Sequence, residues 1–398
     1  MVVIVNALRT PIGKYGGSLA HKSPEELAAV VLKNNLAHAG LSPSLVDEVI
    51  LGQTKQSAHA PNIARVASLK ANFPEELSAY TVHRQCGSGM QAVNNAFMAI
   101  ATNQAEVILA GGVESMSQAP YYMIANPAGY KPGNLTLFDS NVESQPKSQP
   151  EEKYGTFTMG ETAEILAEKY GISREEQDEF ALESQIKALR AIEQGKFTDE
   201  IVPVELDNPK LGVSLFAQDE YPRDTSLQAL AKLKPVFRKG GTVTAGNASG
   251  RNDGAAALLL MSEEKALELG YTPLAIVRGI GAAGVNPREM GIGPVPASAR
   301  ALKMAGLELS DIDLIELNEA FSAQSLAVLK EWGIDRERVN VNGGAIALGH
   351  PLGCSGTRIL VTLIHEMQKR EARYGLATLC TAGGQGIATV VETWQKSR

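Results

Sequence analysis

Cysteine is scarce in this chain, with three in 398 residues. Cys86, Cys354 and Cys380 fall at unrelated spacings, which excludes both a disulfide framework and a paired-cysteine zinc pattern. Aromatics are sparse at 5%. Basic residues are outnumbered, 37 Lys and Arg against 44 Asp and Glu, and the net charge of -7 argues against a general nucleic-acid binder, which needs a basic surface. Long apolar runs are missing. Met1–Val5 is too short for a secretory core, and Ala255–Met261 is far too short to span a bilayer. The terminal run Trp394–Arg398 carries no peroxisomal or retention tripeptide. The expectation is a reduced, cytoplasmic protein with no membrane and no nucleic-acid partner.

Glycine, by contrast, is plentiful at 38 residues, which implies tight turns and close backbone approaches. The rest, 44% apolar and 20% charged, is an ordinary globular composition. A chain this long exceeds the usual single core, so several domains or a duplicated unit are expected. It does repeat itself. Ala39–Gly52 has a counterpart in Ala305–Asn318, each ending a helix at glycine and running into a short apolar strand. Ser88-Gly89 opens a helix through Ile100, as Ser355-Gly356 opens one through about Met367. Val107–Ala110 meets Gly111-Gly112, as Ala377–Ala382 meets Gly383-Gly384, and Val2–Ala7 loosely matches Ala275–Gly279. Four matches in one order describe two α/β halves, each a sheet flanked by helices.

The spacing places a large insertion in the first half, residues 119–242, proline-rich at first and helical from about Thr162 to Gln194. The halves are then 1–118 plus 243–268, with Ala255–Leu260 as a buried strand, and 269–398. The run 279–284, Gly-Ile-Gly-Ala-Ala-Gly, fits a dinucleotide fingerprint only on paper, because Pro287 and Pro294 follow where a helix should begin.

Four residues stand out for chemistry. Cys86 precedes a helix start, where unpaired amides favour thiolate, and small neighbours give access to sulfur; a packed thiol is the alternative. His350, on a glycine-rich loop, is the histidine best placed to serve a cysteine nucleophile, although lone histidines are more often structural. Cys380 ends a strand before Thr-Ala-Gly-Gly-Gln-Gly, whose amides could form a nest for an oxyanion. Asn318 sits at a strand-to-helix turn, where it could polarise a carbonyl or merely cap the helix.

The blocks Arg84-Gln-Cys-Gly-Ser-Gly, Leu317-Asn-Glu-Ala-Phe, Gly349-His-Pro-Leu-Gly-Cys-Ser-Gly and Cys380-Thr-Ala-Gly-Gly-Gln-Gly resemble the signature blocks of the thiolase family. Ala110–Ser117 and Gly240–Gly254 do likewise, and the blocks run in family order from Arg9 to the end. The resemblance implies an α/β thiolase fold: two similar βαβαβαββ halves in a five-layer αβαβα arrangement, with an inserted loop domain. It implies an acyltransferase that joins or cleaves acetyl-CoA, acyl-CoA and 3-ketoacyl-CoA through an acyl-Cys86 intermediate. His350 would take the Cys86 proton and Cys380 would handle the α-proton of acetyl-CoA. Asn318 would hold a water that, with His350, binds the enolate oxygen. The amides of Cys86 and Gly383 would form the second oxyanion hole.

By the same resemblance, Ala245, Ser249 and Gly250 line the pantetheine channel, Met159, Met290, Ala320 and Phe321 form its apolar walls, and Arg223 is a cation near the nucleotide. Coenzyme A thioesters are substrates, no cofactor or metal is bound permanently, and a homodimer or homotetramer is implied. Lys232, Lys234, Arg238 and Lys239 add a local basic cluster, which is either a phosphate contact or a solvated face. The chain departs from the family pattern at His83, Cys354, Thr158 and Arg251, and the last two bear on chain length. A longer-chain degradative enzyme, a decarboxylating ketoacyl synthase, a cysteine hydrolase and a silent acyl-CoA or lipid-binding relative are the alternatives. The second thiol and the complete Cys86, His350, Cys380 set speak against the last three.

Overall fold

The computed structural model describes residues 1–130, 132–208 and 212–396; Ser397 and Arg398, which close the terminal run, lie outside the described residues. The first repeat runs β1 (Val2–Arg9), α1 (Pro24–Ala39), β2 (Glu48–Gly52), α2 (Ile63–Lys70), β3 (Ser78–Val82), α3 (Ser88–Ala101) and β4 (Val107–Ser115). The intervening stretch carries α4 (Met159–Tyr170) and α5 (Arg174–Glu193), and β5 (Asn252–Ser262) completes the repeat. The second repeat is β6 (Ala275–Gly284), α6 (Pro294–Ala305), β7 (Leu314–Leu317), α7 (Ser322–Trp332), α8 (Leu352–Arg370), β8 (Tyr374–Thr381) and β9 (Gln385–Thr393).

The strands lie in the order β7-β8-β9-β6-β1-β5-β4-β2-β3. Each repeat contributes one half of this continuous sheet, the first sheet and the second sheet, and the halves join edge to edge through Val3 with Ile276 and Ile4 with Ala275. Three apolar cores give the layers. Leu27, Leu32 and Ile63 of α1 and α2 cover the outer face of the first sheet. Met90 and Val93 of α3, with Ile359 and Leu363 of α8, fill the space between the two sheets. Ala301, Ala327 and Leu166, from α6, α7 and α4, cover the outer face of the second. Because both faces of β5 are covered, Asn252 to Met261 is buried without interruption, as a two-sided strand requires.

The central helices approach the first sheet too closely for side chains. A Cβ on Gly89 would sit 2.6 Å from the Gly353 carbonyl oxygen, and one on Gly353 would sit 2.6 Å from the Val113 carbonyl oxygen. Glu114 locks this contact, its buried carboxylate accepting from the amides of Thr54, Lys55 and Gly353 at 3.0, 2.9 and 2.9 Å.

One detail agrees with the sequence expectations and three differ. Residues 279–284 are strand, part of β6, so no phosphate-binding turn exists there. The helical part of the insertion is two helices, separated where Gly171 adopts φ 58°. Helix α8 begins at Leu352, immediately after Pro351, so Cys354 lies in its first turn rather than in a glycine-rich turn. The third strand of the second repeat shrinks to one parallel bridge, Val339 with Ile315. Asn340 ends it: φ is 46°, and its side chain accepts from the Leu317 amide at 2.9 Å and donates to the Leu317 carbonyl at 2.8 Å, replacing strand pairing.

Candidate active site

Each reactive side chain is delivered by a tight piece of backbone. Gln85, between β3 and α3, has φ 47°, a left-handed conformation that costs a non-glycine residue energy and is tolerated where surroundings enforce it. The bend sets Cys86 at the start of α3. A Cβ on Gly87 would meet Thr381 Cγ2 at 2.8 Å, so the ends of β8 and α3 can converge only because residue 87 is glycine.

His350 comes from the second repeat. Gly349 before it has φ 103° and packs where any Cβ would strike Asn252. The His350 amide donates to Asn252 Oδ1 at 3.0 Å, and ring atom Nδ1 lies 2.6 Å from Ser355 Oγ. Ser355 Oγ in turn donates to the Pro351 carbonyl at 2.8 Å. Burial, reinforced by the charge of Arg358, pushes the imidazole down to about 3. Cys380 is the penultimate residue of β8, and the chain then reverses through Gly383 and Gly384, at φ 85° and 76°, into β9.

Cys86, His350 and Cys380 line one cavity of about 240 Å³. Burial pushes Cys86 up to about 11, against the opposing pull of the Ala382 and Cys86 amides and the Lys55 charge. At Cys86 desolvation thus outweighs the pull of the helix N-terminus toward thiolate. Cys380 is raised further, by burial and then by proximity to Cys86. Cys354, raised to about 12 by burial, belongs to the central apolar core and does not line the cavity.

Asn318 is fully buried and is not among the residues lining the cavity, and neither its Oδ1 nor its Nδ2 has a protein partner among the described residues. A buried amide in that state is suited to a water or ligand. The expectation for Gly383 needs correction. Ala382 lines the cavity and presents its amide to Cys86, whereas Gly383, at φ 85°, does not line it, and a Cβ there would lie 2.9 Å from the Ser148 carbonyl oxygen.

Of the expected channel residues, Met159, Ser249, Gly250, Met290, Ala320 and Phe321 line the cavity. Arg223 and Ala245 do not. Arg223 stacks on Tyr221, 5.1 Å from its ring centroid, and its amide donates to Gln185 Oε1; Ala245 is exposed in a turn outside the wall. Thr158 lies on the wall and its side chain caps α4 through Glu161, a capping box that accounts for a threonine at this place. The basic cluster is surface: Lys232, Lys234 and Lys239 are exposed, and Arg238 pairs with Glu168 at 2.7 Å.

Sequence reasoning missed the part of the wall contributed by Asn141, Gln145 and Pro146 in the insertion, and missed Phe237. Phe237 packs edge-on against Phe321, centroids 5.9 Å apart. Gly160 was the available signal, since a Cβ there would collide with the Phe237 ring.

Residues 2–264 match the family described as thiolase, N-terminal domain, and residues 271–393 match thiolase, C-terminal domain. An acetyl-CoA acetyltransferase of Pseudomonas aeruginosa is 53% identical over 388 residues, 97% of this chain and 98% of that protein. The crystal structure of the Bacillus anthracis acetyl-CoA acetyltransferase superposes with a TM-score of 0.95 at 49% identity, covering 99% of this chain and 98% of that one. A structure of human mitochondrial 3-ketoacyl-CoA thiolase in complex with CoA superposes with a TM-score of 0.93 at 44% identity, with the same coverage of both.

Proposed function

From the premise that the chain belongs to the thiolase family and is an acyltransferase of CoA thioesters, we propose that Cys86, His350 and Cys380 carry out its ping-pong acyl transfer. The observation that carries this is the convergence of two thiols and one imidazole on a single, mostly apolar cavity.

In cleavage of a 3-ketoacyl-CoA, His350 Nε2 takes the Cys86 proton as sulfur attacks the keto carbon. The adduct's oxyanion is held by the Cys86 and Ala382 amides, each such donor being worth roughly 3–4 kcal/mol. The carbon–carbon bond then breaks, leaving acyl-Cys86 and the enolate of acetyl-CoA. The enolate oxygen is stabilised by the protonated His350 and by a water on Asn318. Cys380, kept as a thiol by its raised pKa, donates its proton to the enolate carbon. Free CoA next returns a proton to the Cys380 thiolate, and its own thiolate attacks acyl-Cys86 to release acyl-CoA. Cys86 leaves as thiolate and recovers its proton from His350. Condensation runs the same steps backwards, with Cys380 as base. Two thiols are needed because one carries the acyl group while the other moves the proton.

Met159, Met290 and Phe321 would flank the pantetheine arm, with Ser249 and Gly250 beside it; Arg223 and Ala245 would act only outside the cavity. Thr158, small where the family resemblance implies histidine, supports substrates longer than acetoacetyl-CoA and hence a degradative role in fatty acid metabolism as the second reading. The proposal extends to a cytoplasmic homotetramer, supported by the exposed Tyr121, Ile124, Leu135 and Leu137 on the insertion, and to the domain limits 1–118 plus 243–268, 119–242 and 269–398.

The test is intact mass after mixing with acetyl-CoA. An acetyl adduct that maps to Cys86 is expected, and its absence would sink the assignment. Thiolysis rates across short to long 3-ketoacyl-CoA substrates decide between the two readings.

A further inference from the structure

Arg251 is the one charged side chain among the described residues that line the cavity holding Cys86, and no Asp or Glu lines it. Its guanidinium makes no ion pair within 4.0 Å among the described residues, although carboxylates outnumber cations in the chain. It is exposed, at the part of the wall that water reaches.

A second cation stands behind the same wall. Lys55 is 3% exposed, and its ammonium donates to the Ser140 carbonyl at 2.7 Å, to Ser144 Oγ, and to Gln145 Oε1 at 3.1 Å. All three of its protons are therefore spent on the insertion segment that supplies Asn141 and Gln145 to the cavity. Lys55 cannot bind a ligand directly, and the carboxylates of Glu114 and Asp139 lie near enough to offset part of its charge. Arg251 and Cys86 both lie close enough to Lys55 to feel that charge. Arg251 is therefore the cation that faces this concave, carboxylate-free surface without a partner, an arrangement suited to an anion that visits it.

Resting on the thiolase reading, we propose that Arg251 forms an anion subsite for the acyl chain, so that the preferred substrates include 3-ketoacyl-CoA thioesters bearing a carboxylate at the far end of the chain. A planar guanidinium meets a carboxylate through two parallel hydrogen bonds. At a solvent-reached position the carboxylate keeps part of its hydration, so desolvation does not cancel the gain. Arg251 lines the same cavity as Cys86, where the acyl group is transferred, which favours the acyl chain over the CoA phosphates as the source of the anion. The Lys55 strut ties the wall to the neighbourhood of Cys86, where the acyl group is transferred.

The experiment compares thiolysis of two CoA thioesters of equal length, 3-ketohexanoyl-CoA and the 3-ketoacyl mono-CoA ester of a six-carbon dicarboxylic acid. The readout is the ratio of their kcat/KM values in wild type, Arg251→Leu and Arg251→Lys. The ratio of acid to neutral substrate should fall about tenfold or more in Arg251→Leu, the size of one partly solvated charged pair, and should be largely kept in Arg251→Lys. An unchanged ratio overturns the subsite. So does an equal loss on both substrates that disappears with acyl-pantetheine thioesters, since that marks a phosphate contact. An equal loss that persists with them marks a damaged wall and overturns it too. If wild type cleaves neither thioester, the thiolase reading fails; if it cleaves the neutral one while the ratio does not move, only the subsite does.

Discussion

Ser355 fixes the tautomer of His350. Its Oγ lies 2.6 Å from Nδ1 and has given its single proton to the Pro351 carbonyl, so the ring must donate and Nδ1 must carry the hydrogen. Nε2 is left as the lone pair available to Cys86. Ser355→Ala should slow acetylation of Cys86 about tenfold, a fraction of what a positioned general base contributes, and Ser355→Thr should restore most of it. Single-turnover mass spectrometry measures the rate. Equal rates in wild type and Ser355→Ala would remove Ser355 from any positioning role.

The two thiols should separate cleanly. Cys380→Ser should still acetylate Cys86 yet exchange the α-protons of acetyl-CoA into deuterated water at least about a hundredfold more slowly, since a hydroxyl is a far poorer acid–base group than a thiol. Proton NMR of the acetyl methyl signal follows the exchange. Unimpaired exchange would show that another group handles the proton.

Asn318 should trade stability for function. Its buried amide has no protein partner, and such a group costs about 1–3 kcal/mol when nothing satisfies it. Asn318→Ala should therefore slow α-proton exchange about tenfold or more without lowering the urea midpoint. A clear drop in that midpoint would mean the amide is a structural strut.

Glu316 should make stability fall as pH rises. It is buried beside Arg358, 3.4 Å away, and burial raises its carboxyl to about 8, above the 4.5 expected of the unfolded chain. Between those values the folded state holds the proton and the unfolded chain does not, so this contribution is complete below about 4.5 and is lost by about 8. Glu316→Gln, which cannot ionise, should flatten that stretch of the stability curve. Urea midpoints at pH 5 and pH 9 test it: an identical decline in variant and wild type would refute the assignment.

Much of this was legible in the chain because glycine punctuates it at matching places. Gly40 and Gly306 stop equivalent helices at left-handed φ of 67° and 70°, and the short apolar strands follow on cue. The strand lost at Val339 was not legible, because Asn340 replaces backbone pairing with side-chain bonds to a residue 23 positions away. The choice between Ala382 and Gly383 was likewise hidden. Both are small, and which amide faces Cys86 depends on φ angles that composition does not encode. The balance of effects on the Cys86 thiol was half legible: a helix N-terminus can be read from sequence, whereas burial of the sulfur at that terminus cannot.

Duplication ordinarily offers two of everything, yet the proposed reading gives this chain one reaction centre. Shifting by the interval that lays Ser88-Gly89 on Ser355-Gly356 puts Gly353 where the first copy has Cys86. Any side chain at 353 would be driven into the Val113 carbonyl and the Gln53 backbone. The twin of the nucleophile is thus walled off by the contact that holds the halves together. On the proposed reading the second copy assists the first: it supplies His350, Asn318 and Cys380, and the thiol they serve, Cys86, has no counterpart at the matching place in it.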